Sequence, residues 1–488
     1  LRADRDPVRP DEVRVAIHNK GSGSARRDGA DRSAVEGPVV AGRVVFGDVR
    51  AAGPIAPPFV LEGAGTCRFT AEELYADQWL FHGPALQALV RVGPSSPCGI
   101  EGTLKVLPRR GLLRALDRHA LRTDPIVVDA FTHLLGCWGL DQVPDGEGDV
   151  IFPLRVADLA ILGADPPEGA EVACRIMIRD VSTHRVLADA DLVGPDGRLW
   201  MRITGWEDWR FYWPSRYRDQ FRQPDRVFVG EPLFLPGAAP EVSSTVRAVW
   251  LAPPADMGRP VWRDVLEWVQ LGPEERAACR ALPAPDARRT LRLWGRIAAK
   301  EAARRLWADR GGPPVFPADL AIEPDPRGHP RLRSLLEPDR DDLPAVSIAH
   351  AEGVAVALAA LDPAARVGVD VEPVIDRPPG FEAVAFRKDE RARLDRLADA
   401  GHDREAWVAR FWCAREAVAK ATGLGMLTGR PSAAVVGVDP TTGEIAVVPG
   451  PELLAVAPDW ENIPVRAVTA QRGNYVWAWT LGERSHLR

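Results

Sequence analysis

The sequence lacks several things, and each absence narrows the reading. Its six cysteines, Cys67, Cys98, Cys137, Cys174, Cys279 and Cys413, form no CxxC pair. Neither zinc nor a disulfide framework is therefore indicated, and a reducing, cytoplasmic setting is expected. Charge of one sign is not in excess. The 62 basic residues against 68 acidic ones leave a net charge of -6, which gives no reason to expect nucleic acid as a partner. Long apolar runs are missing too: residues 126–140 are apolar but short, and Asp129 and His133 interrupt them. No membrane span and no signal peptide are expected. The chain starts on Leu1 rather than Met, so its start reads as a cut in a longer polypeptide.

What is present is enough chain for two or three domains, since 488 residues exceed what one core usually covers. Residues 11–18 alternate as a strand, and 39–46 read as a second. Between them lies a Gly/Ser/Arg/Asp-rich linker at 19–37, and after them a Pro/Gly-rich patch at 53–58. Residues 61–230 read as strands around one apolar helix. Residues 100–106 and 171–178 alternate, Pro195-Asp196-Gly197 is a hairpin turn, and 125–138 is apolar nearly all round. A curved antiparallel sheet wrapped on a buried helix is a hotdog. A Pro-rich stretch ending at 232–240 reads as the next boundary, and 240–488 mixes strands and helices, including a long basic helix at 286–307.

The chemistry concentrates near the C-terminus. Side chains two apart on a strand share a face, which pairs Asp370 with Glu372 in the strand 367–372. Positions four apart on a helix also share a face, which pairs Glu416 with Lys420 in the helix 411–423. An isolated ExxxK is more often a surface ion pair. If strand and helix pack together, however, three carboxylates and an ammonium converge, which suits a hard divalent cation and a phosphate. In the middle segment, Asp129 and His133 are either a hydrogen-bonded pair in a buried helix or half of an acid/base site. His82, before Gly83-Pro84, reads as a turn or tunnel residue.

Two families are recognisable in these patterns. Leu80-Phe81-His82-Gly83-Pro84 with Gln87, then Asp129 and His133, then Phe152-Pro153-Leu154-Arg155, resembles the second half of a polyketide synthase dehydratase, which is a double hotdog. The resemblance implies that Asp129 works with a histidine of a HxxxGxxxxP motif to remove water from a 3-hydroxyacyl chain. That motif does not occur in this chain, so the double hotdog reads as incomplete, with residues 1–60 as the tail of the first hotdog plus a linker. Pairing of two hotdogs into a homodimer is a further expectation.

The second pattern is Gly328-His329-Pro330, Ala349-His350-Ala351, the run GVDVE at 368–372 and WCAREAVAK at 412–420. In that order they resemble the 4′-phosphopantetheinyl transferases of the surfactin-synthetase-activating type. Arg415 stands where that family usually has Lys, and His329 where its turn often has Lys. The resemblance implies a two-lobed α/β pseudodimer with halves at about 240–363 and 364–488. It also implies Mg²⁺-dependent transfer of phosphopantetheine from coenzyme A to a serine of an acyl carrier protein. Asp370, Glu372 and Glu416 would hold the metal, and either Glu416 or Glu372 would be the base. Lys420 would meet the leaving phosphate, while His350, His329, Arg327 and Lys300 would hold the coenzyme. The fusion is expected at the C-terminal end of a polyketide or polyunsaturated fatty acid synthase, with the carrier supplied from elsewhere because no DSL-like carrier serine motif is found. The alternative is a dehydratase fragment with an accessory transferase domain.

Overall fold

The computed structural model describes residues 2–18, 38–47, 52–110, 112, 121, 123–142, 149–254, 257, 259–282, 286–424 and 433–487. The expected linker at 19–37 lies outside them. The chain divides into two compact units, Leu1–Trp213 and Pro214–Arg488. No helix among the described residues is long and apolar enough to cross a membrane.

In the first unit, β1 (Arg2–Arg5), β2 (Glu12–Ile17) and β3 (Val40–Val45) form a separate three-stranded antiparallel sheet. The alternation read at 11–18 is thus a strand. The Pro/Gly-rich patch after it adds to the larger sheet, where Leu199 N–H donates to Pro54 O at 2.8 Å and Ala56 N–H to Gly197 O at 3.0 Å. That sheet contains β4 (Gly65–Thr66), β5 (Leu89–Ser96), β6 (Gly99–Lys105), β7 (Asp149–Ile161), β8 (Glu171–Val181), β9 (Arg185–Val193) and β10 (Leu199–Tyr212). Their order is β4-β5-β6-β8-β9-β10-β7, antiparallel throughout. Helix α1 (Ala71–Ala76) starts at a capping box, in which Thr70 and Glu73 satisfy each other's backbone N–H groups. Helix α2 (Pro125–Gln142) runs through the core. Its Phe131, Leu134 and Leu135 are fully buried in one cluster with Ile100, Ile176 and Ile203. Each such side chain contributes about 1.5–3 kcal/mol of transfer free energy. The sheet wrapped on a buried helix is the expected hotdog.

The second unit has two lobes. In the first, β11 (Glu231–Leu233) and β12 (Val246–Leu251) join β15 (Ala345–Ala351) and β16 (Val354–Ala360) in the order β11-β12-β16-β15. Helix α3 (Ser215–Arg222) precedes this sheet, and the intervening elements are α4 (Pro240–Thr245), α5 (Pro260–Gln270), α6 (Pro273–Arg280), α7 (Asp286–Ala308) and the hairpin of β13 (Leu320–Pro324) and β14 (Pro330–Ser334). The long helix α7 lies on this sheet. In the second lobe, β17 (Gly368–Pro373), β18 (Ala433–Asp439), β19 (Glu444–Pro449), β20 (Val465–Arg472) and β21 (Tyr475–Thr480) make the sheet β17-β21-β20-β19-β18. Helices α8 (Phe381–Ala385), α9 (Lys388–Asp399), α10 (Arg404–Ala421) and α11 (Pro451–Leu454) complete it, with α10 along the sheet. Both lobes therefore set one long helix on an antiparallel sheet, the expected two-lobed form. One apolar cluster runs through both, from Trp250, Val356 and Leu358 to Val369, Val371 and Trp479. At the joint the Val369 N–H donates to Ser347 Oγ at 3.1 Å.

One boundary differs from the sequence reading. Residues 214–230, read as part of the hotdog, and the boundary stretch that follows pack with the second unit. Val229 and Gly230 N–H groups both donate to the buried Glu301 carboxylate at 2.7 Å, and Arg304 donates to Pro224 O at 2.6 Å. Proline and arginine enrichment marks irregular backbone, and here that backbone is fastened to α7.

Candidate functional site

The second unit's site is built where α10 crosses β17. Asp403 caps the helix start, its Oδ1 accepting the Ala406 N–H. Gly368 explains how closely the helix lies on the strand, because a Cβ there would meet the Ala417 carbonyl oxygen at 1.9 Å. Only glycine leaves room for that approach. It carries Lys420 across to the strand, where its Nζ donates to Asp370 Oδ1 at 2.8 Å. Asp370 is 7% exposed, and its other oxygen, Oδ2, has no hydrogen-bond partner; the same is true of Glu416 Oε2.

The electrostatics follow from this crowding. Burial and the neighbouring Asp370 charge push the Glu416 carboxyl up to about 7, with Lys420 and Arg415 acting in the opposite direction. Burial also raises Glu372, although Arg377 Nη2 donates to it at 2.9 Å and works against the rise. Desolvation of its ring and the Lys420 charge hold the His350 imidazole below its usual value, with Asp370 opposing. His350 is the penultimate residue of β15, and Asp370, Glu372, Glu416, Lys420 and His350 thus share one field.

The other expected coenzyme ligands divide. Arg327 is exposed in a turn whose backbone is fixed by Asp325 Oδ1, which accepts the Arg327 and His329 N–H groups at 2.8 and 2.9 Å. The His329 ring lies within 3.8 Å of where a Cβ of Gly423 would stand, just past the end of α10. His329 and Lys420 therefore belong to one neighbourhood. Lys300 does not fit the expectation of a residue at the rim. It is fully buried, and its Nζ donates to Gln270 O at 2.7 Å and to Glu275 Oε2 at 2.5 Å. Burial lowers its ammonium to about 8. The basic flank of α7 therefore does not act as one surface: Lys300 and Arg304 face inward. Arg415 also turns away, donating to Ala385 O at 2.6 Å beneath Phe386 and Trp412.

Asp370, Glu372 and Glu416 do not place three ligand atoms within 4.8 Å of one another. Among the described residues, the His82, Asp129 and His133 of the first unit are the group that does. His133 Nε2 lies 3.2 Å and His82 Nε2 3.5 Å from Asp129 Oδ2. Burial pushes the Asp129 carboxyl up, but the two histidines outweigh it and the net direction is down. Burial and His133 lower His82. The pairing of Asp129 with His133 is the expected one. His82 is the residue the sequence reading set aside, and nothing in its local sequence announces the second imidazole it meets.

Residues 366–467 match the family model of the 4′-phosphopantetheinyl transferase superfamily. Residues 68–207 match the model described as the polyketide synthase dehydratase N-terminal domain, where the motif order had suggested a second half. Both family resemblances read from the motifs therefore hold. No curated protein is similar to the chain. Solved structures similar to the chain include a trans-acyltransferase polyketide synthase enoyl-isomerase, at 13% identity over 26% of this chain and 46% of that one, TM-score 0.21. Another is the dehydratase domain from the CurJ module of curacin polyketide synthase, at 16% identity over 35% and 55%, TM-score 0.26. A third is a trans-acyltransferase dehydratase domain from Brevibacillus brevis, at 17% identity over 43% and 68%, TM-score 0.30. The chain spans about half the length of the first two.

Proposed function

We propose that the second unit transfers 4′-phosphopantetheine from coenzyme A to a serine hydroxyl of an acyl carrier protein, as a holo-acyl-carrier-protein synthase. It would serve at the C-terminal end of a polyketide or polyunsaturated fatty acid synthase. The observation that carries this reading is the joint of α10 and β17, where Lys420 holds one oxygen of Asp370 while Asp370 Oδ2 and Glu416 Oε2 stay buried without partners. Unpaired buried carboxylate oxygens fit a cation, so Asp370 and Glu416, with Glu372, would hold Mg²⁺. When bound, that ion would neutralise charge on the pyrophosphate.

The chain's own residues have separable tasks. The serine Oγ attacks the phosphorus carrying the pantetheine arm, and the bond to the nucleotide's bridging oxygen breaks, releasing adenosine 3′,5′-bisphosphate. Glu416, poised near neutrality, supports the role of acceptor for the serine proton. Glu372 is engaged by Arg377 and supports a holding role instead. Lys420 meets the charge growing on the leaving phosphate. His350, His329 and Arg327 are the cationic or donor groups left for the coenzyme's phosphates, without Lys300.

The test is to incubate the protein with coenzyme A, Mg²⁺ and several apo carrier proteins and to weigh the carriers. A mass gain of one phosphopantetheine is expected. Unmodified carriers together with no coenzyme A binding would refute the reading. A second reading, elimination of water from a 3-hydroxyacyl chain in the first unit, is favoured by the match at 68–207 and by His82 standing 3.5 Å from Asp129.

A further inference from the structure

A cluster in the first unit plays no part in phosphopantetheine transfer. His82 sits in the loop before the short turn at Pro84–Leu86, while Asp129 and His133 lie one turn apart on α2. The two imidazole rings are 3.9 Å apart between centroids. One potential ligand atom from each of the three residues lies within 4.8 Å of the other two.

By hydrogen-bond geometry His82 Nδ1, Asp129 Oδ2 and His133 Nε2 lack a partner, while the His82 nitrogen that faces Asp129 is Nε2. His133 is only 1% exposed, and its Nε2 lies 3.2 Å from Asp129 Oδ2, an ion-pair contact that helps hold the Asp129 carboxyl down. A buried polar group left poorly paired costs about 1–3 kcal/mol, and Asp129 Oδ2 meets only the imidazole nitrogens His133 Nε2 and His82 Nε2, so a cation among the three would satisfy them together. The other edge of the His133 ring is already fixed. Its Nδ1 shares a hydrogen bond of 3.0 Å with the Tyr75 hydroxyl, which itself accepts the Leu89 N–H at 3.1 Å. Imidazoles that bind metals are oriented by outer partners of this kind.

Two imidazole nitrogens and one carboxylate suit a borderline divalent ion such as Zn²⁺ or Co²⁺. An all-oxygen cation such as Mg²⁺ is a poor match for two nitrogens. The Asp129 side chain remains 36% exposed, which leaves one side of the cluster open to a water or a substrate oxygen. The scattered cysteines gave no indication of zinc, but a histidine and aspartate site assembled from a loop and a helix leaves no CxxC spacing to read.

We propose that His82, Asp129 and His133 bind one divalent ion of the zinc class, with an open coordination position on the exposed side of Asp129. This is independent of the transferase reading, whose residues lie in the other unit.

The test uses the full chain, stripped with a chelator and titrated with Zn²⁺ or Co²⁺ in excess Mg²⁺, which fills hard oxygen sites. The expected result is one Zn²⁺ retained per chain after gel filtration, and visible absorption bands when Co²⁺ is bound. His82→Gln and Asp129→Asn, both near the surface, should each weaken binding by about tenfold or more. Asp370→Asn should leave that affinity unchanged, and circular dichroism would verify that each variant is folded. Wild-type protein that retains no more metal than the folded H82Q/D129N double variant would overturn the proposal and leave the trio as an acid/base cluster.

Discussion

Lys420 reaches across from helix to strand to pair with Asp370, and its hydrogen bond does not go to Glu416 one turn earlier on the same helix. The i,i+4 spacing alone would have made a surface pair worth a few tenths of a kcal/mol. Pairing across the joint instead places the ammonium among three carboxylates. Lys420→Met should therefore lower the turnover number for carrier modification by on the order of 10²–10³-fold with the fold retained. Mass spectrometry of timed reactions measures the rate, and circular dichroism measures the fold. A variant as fast as wild type would remove Lys420 from the mechanism.

Glu416 gives a prediction in which activity and stability move in opposite directions. Its carboxyl titrates at about 7 in the folded protein against an ordinary 4.5. Between those values the native state keeps a proton that the unfolded chain releases, so this group's contribution to stability falls as pH rises from about 4.5 through about 7. Glu416→Gln removes that penalty. It should raise the melting temperature relative to wild type at pH 8 and scarcely change it at pH 5. It should also reduce transfer by on the order of 10²-fold or more. In the wild type with Mg²⁺ bound, transfer should rise with pH as the carboxylate forms, with the step below pH 7 because the cation favours the ionised form, and this step should vanish in the variant.

The same helix shows how far the sequence could be read. The order of GVDVE and then ExxxK brought Asp370 and Lys420 to one place, because strand and helix periodicities fix which side chains share a face. The hotdog was legible for a similar reason, since a helix apolar all round must be buried. Lys300 was misplaced because α7 carries basic residues on more than one side, and periodicity does not say which side meets α6. There Glu275 provides a buried partner for Lys300. His82 was missed because its significance comes from a loop meeting α2, a long-range contact without a local spacing. Residues 214–230 read as part of the hotdog and 232–240 as the boundary because proline enrichment reports irregular backbone and not where that backbone is fastened.

Gly368 has a role that can be tested apart from chemistry. A methyl group there would overlap the Ala417 carbonyl oxygen at 1.9 Å, so strand and helix must separate. Overpacking of this kind costs about 1–3 kcal/mol, and backbone atoms have little freedom to give way. Gly368→Ala should lower the melting temperature and also slow transfer, because the shift moves Lys420 relative to Asp370. A variant that is destabilised yet fully active would show that the spacing between α10 and β17 does not set the reaction.

Lys300 tests the corrected assignment. With its ammonium fully buried and bonded to Glu275 and Gln270, it is out of reach of a phosphate. Removing one partner of a buried pair leaves the other charge stranded, and that costs about 3–5 kcal/mol. Glu275 keeps part of its compensation, because its Oε1 also accepts the Ile322 N–H at 2.8 Å and lies 3.3 Å from Arg296. Lys300→Met should therefore fall at the lower end of that range. Adding Glu275→Gln should recover part of the loss, since the stranded charge goes while the bond to Ile322 is kept. Denaturant unfolding at pH 7 measures both. In each folded variant the KM for coenzyme A should stay at the wild-type value; a rise of tenfold or more with little loss of stability would return Lys300 to the coenzyme site.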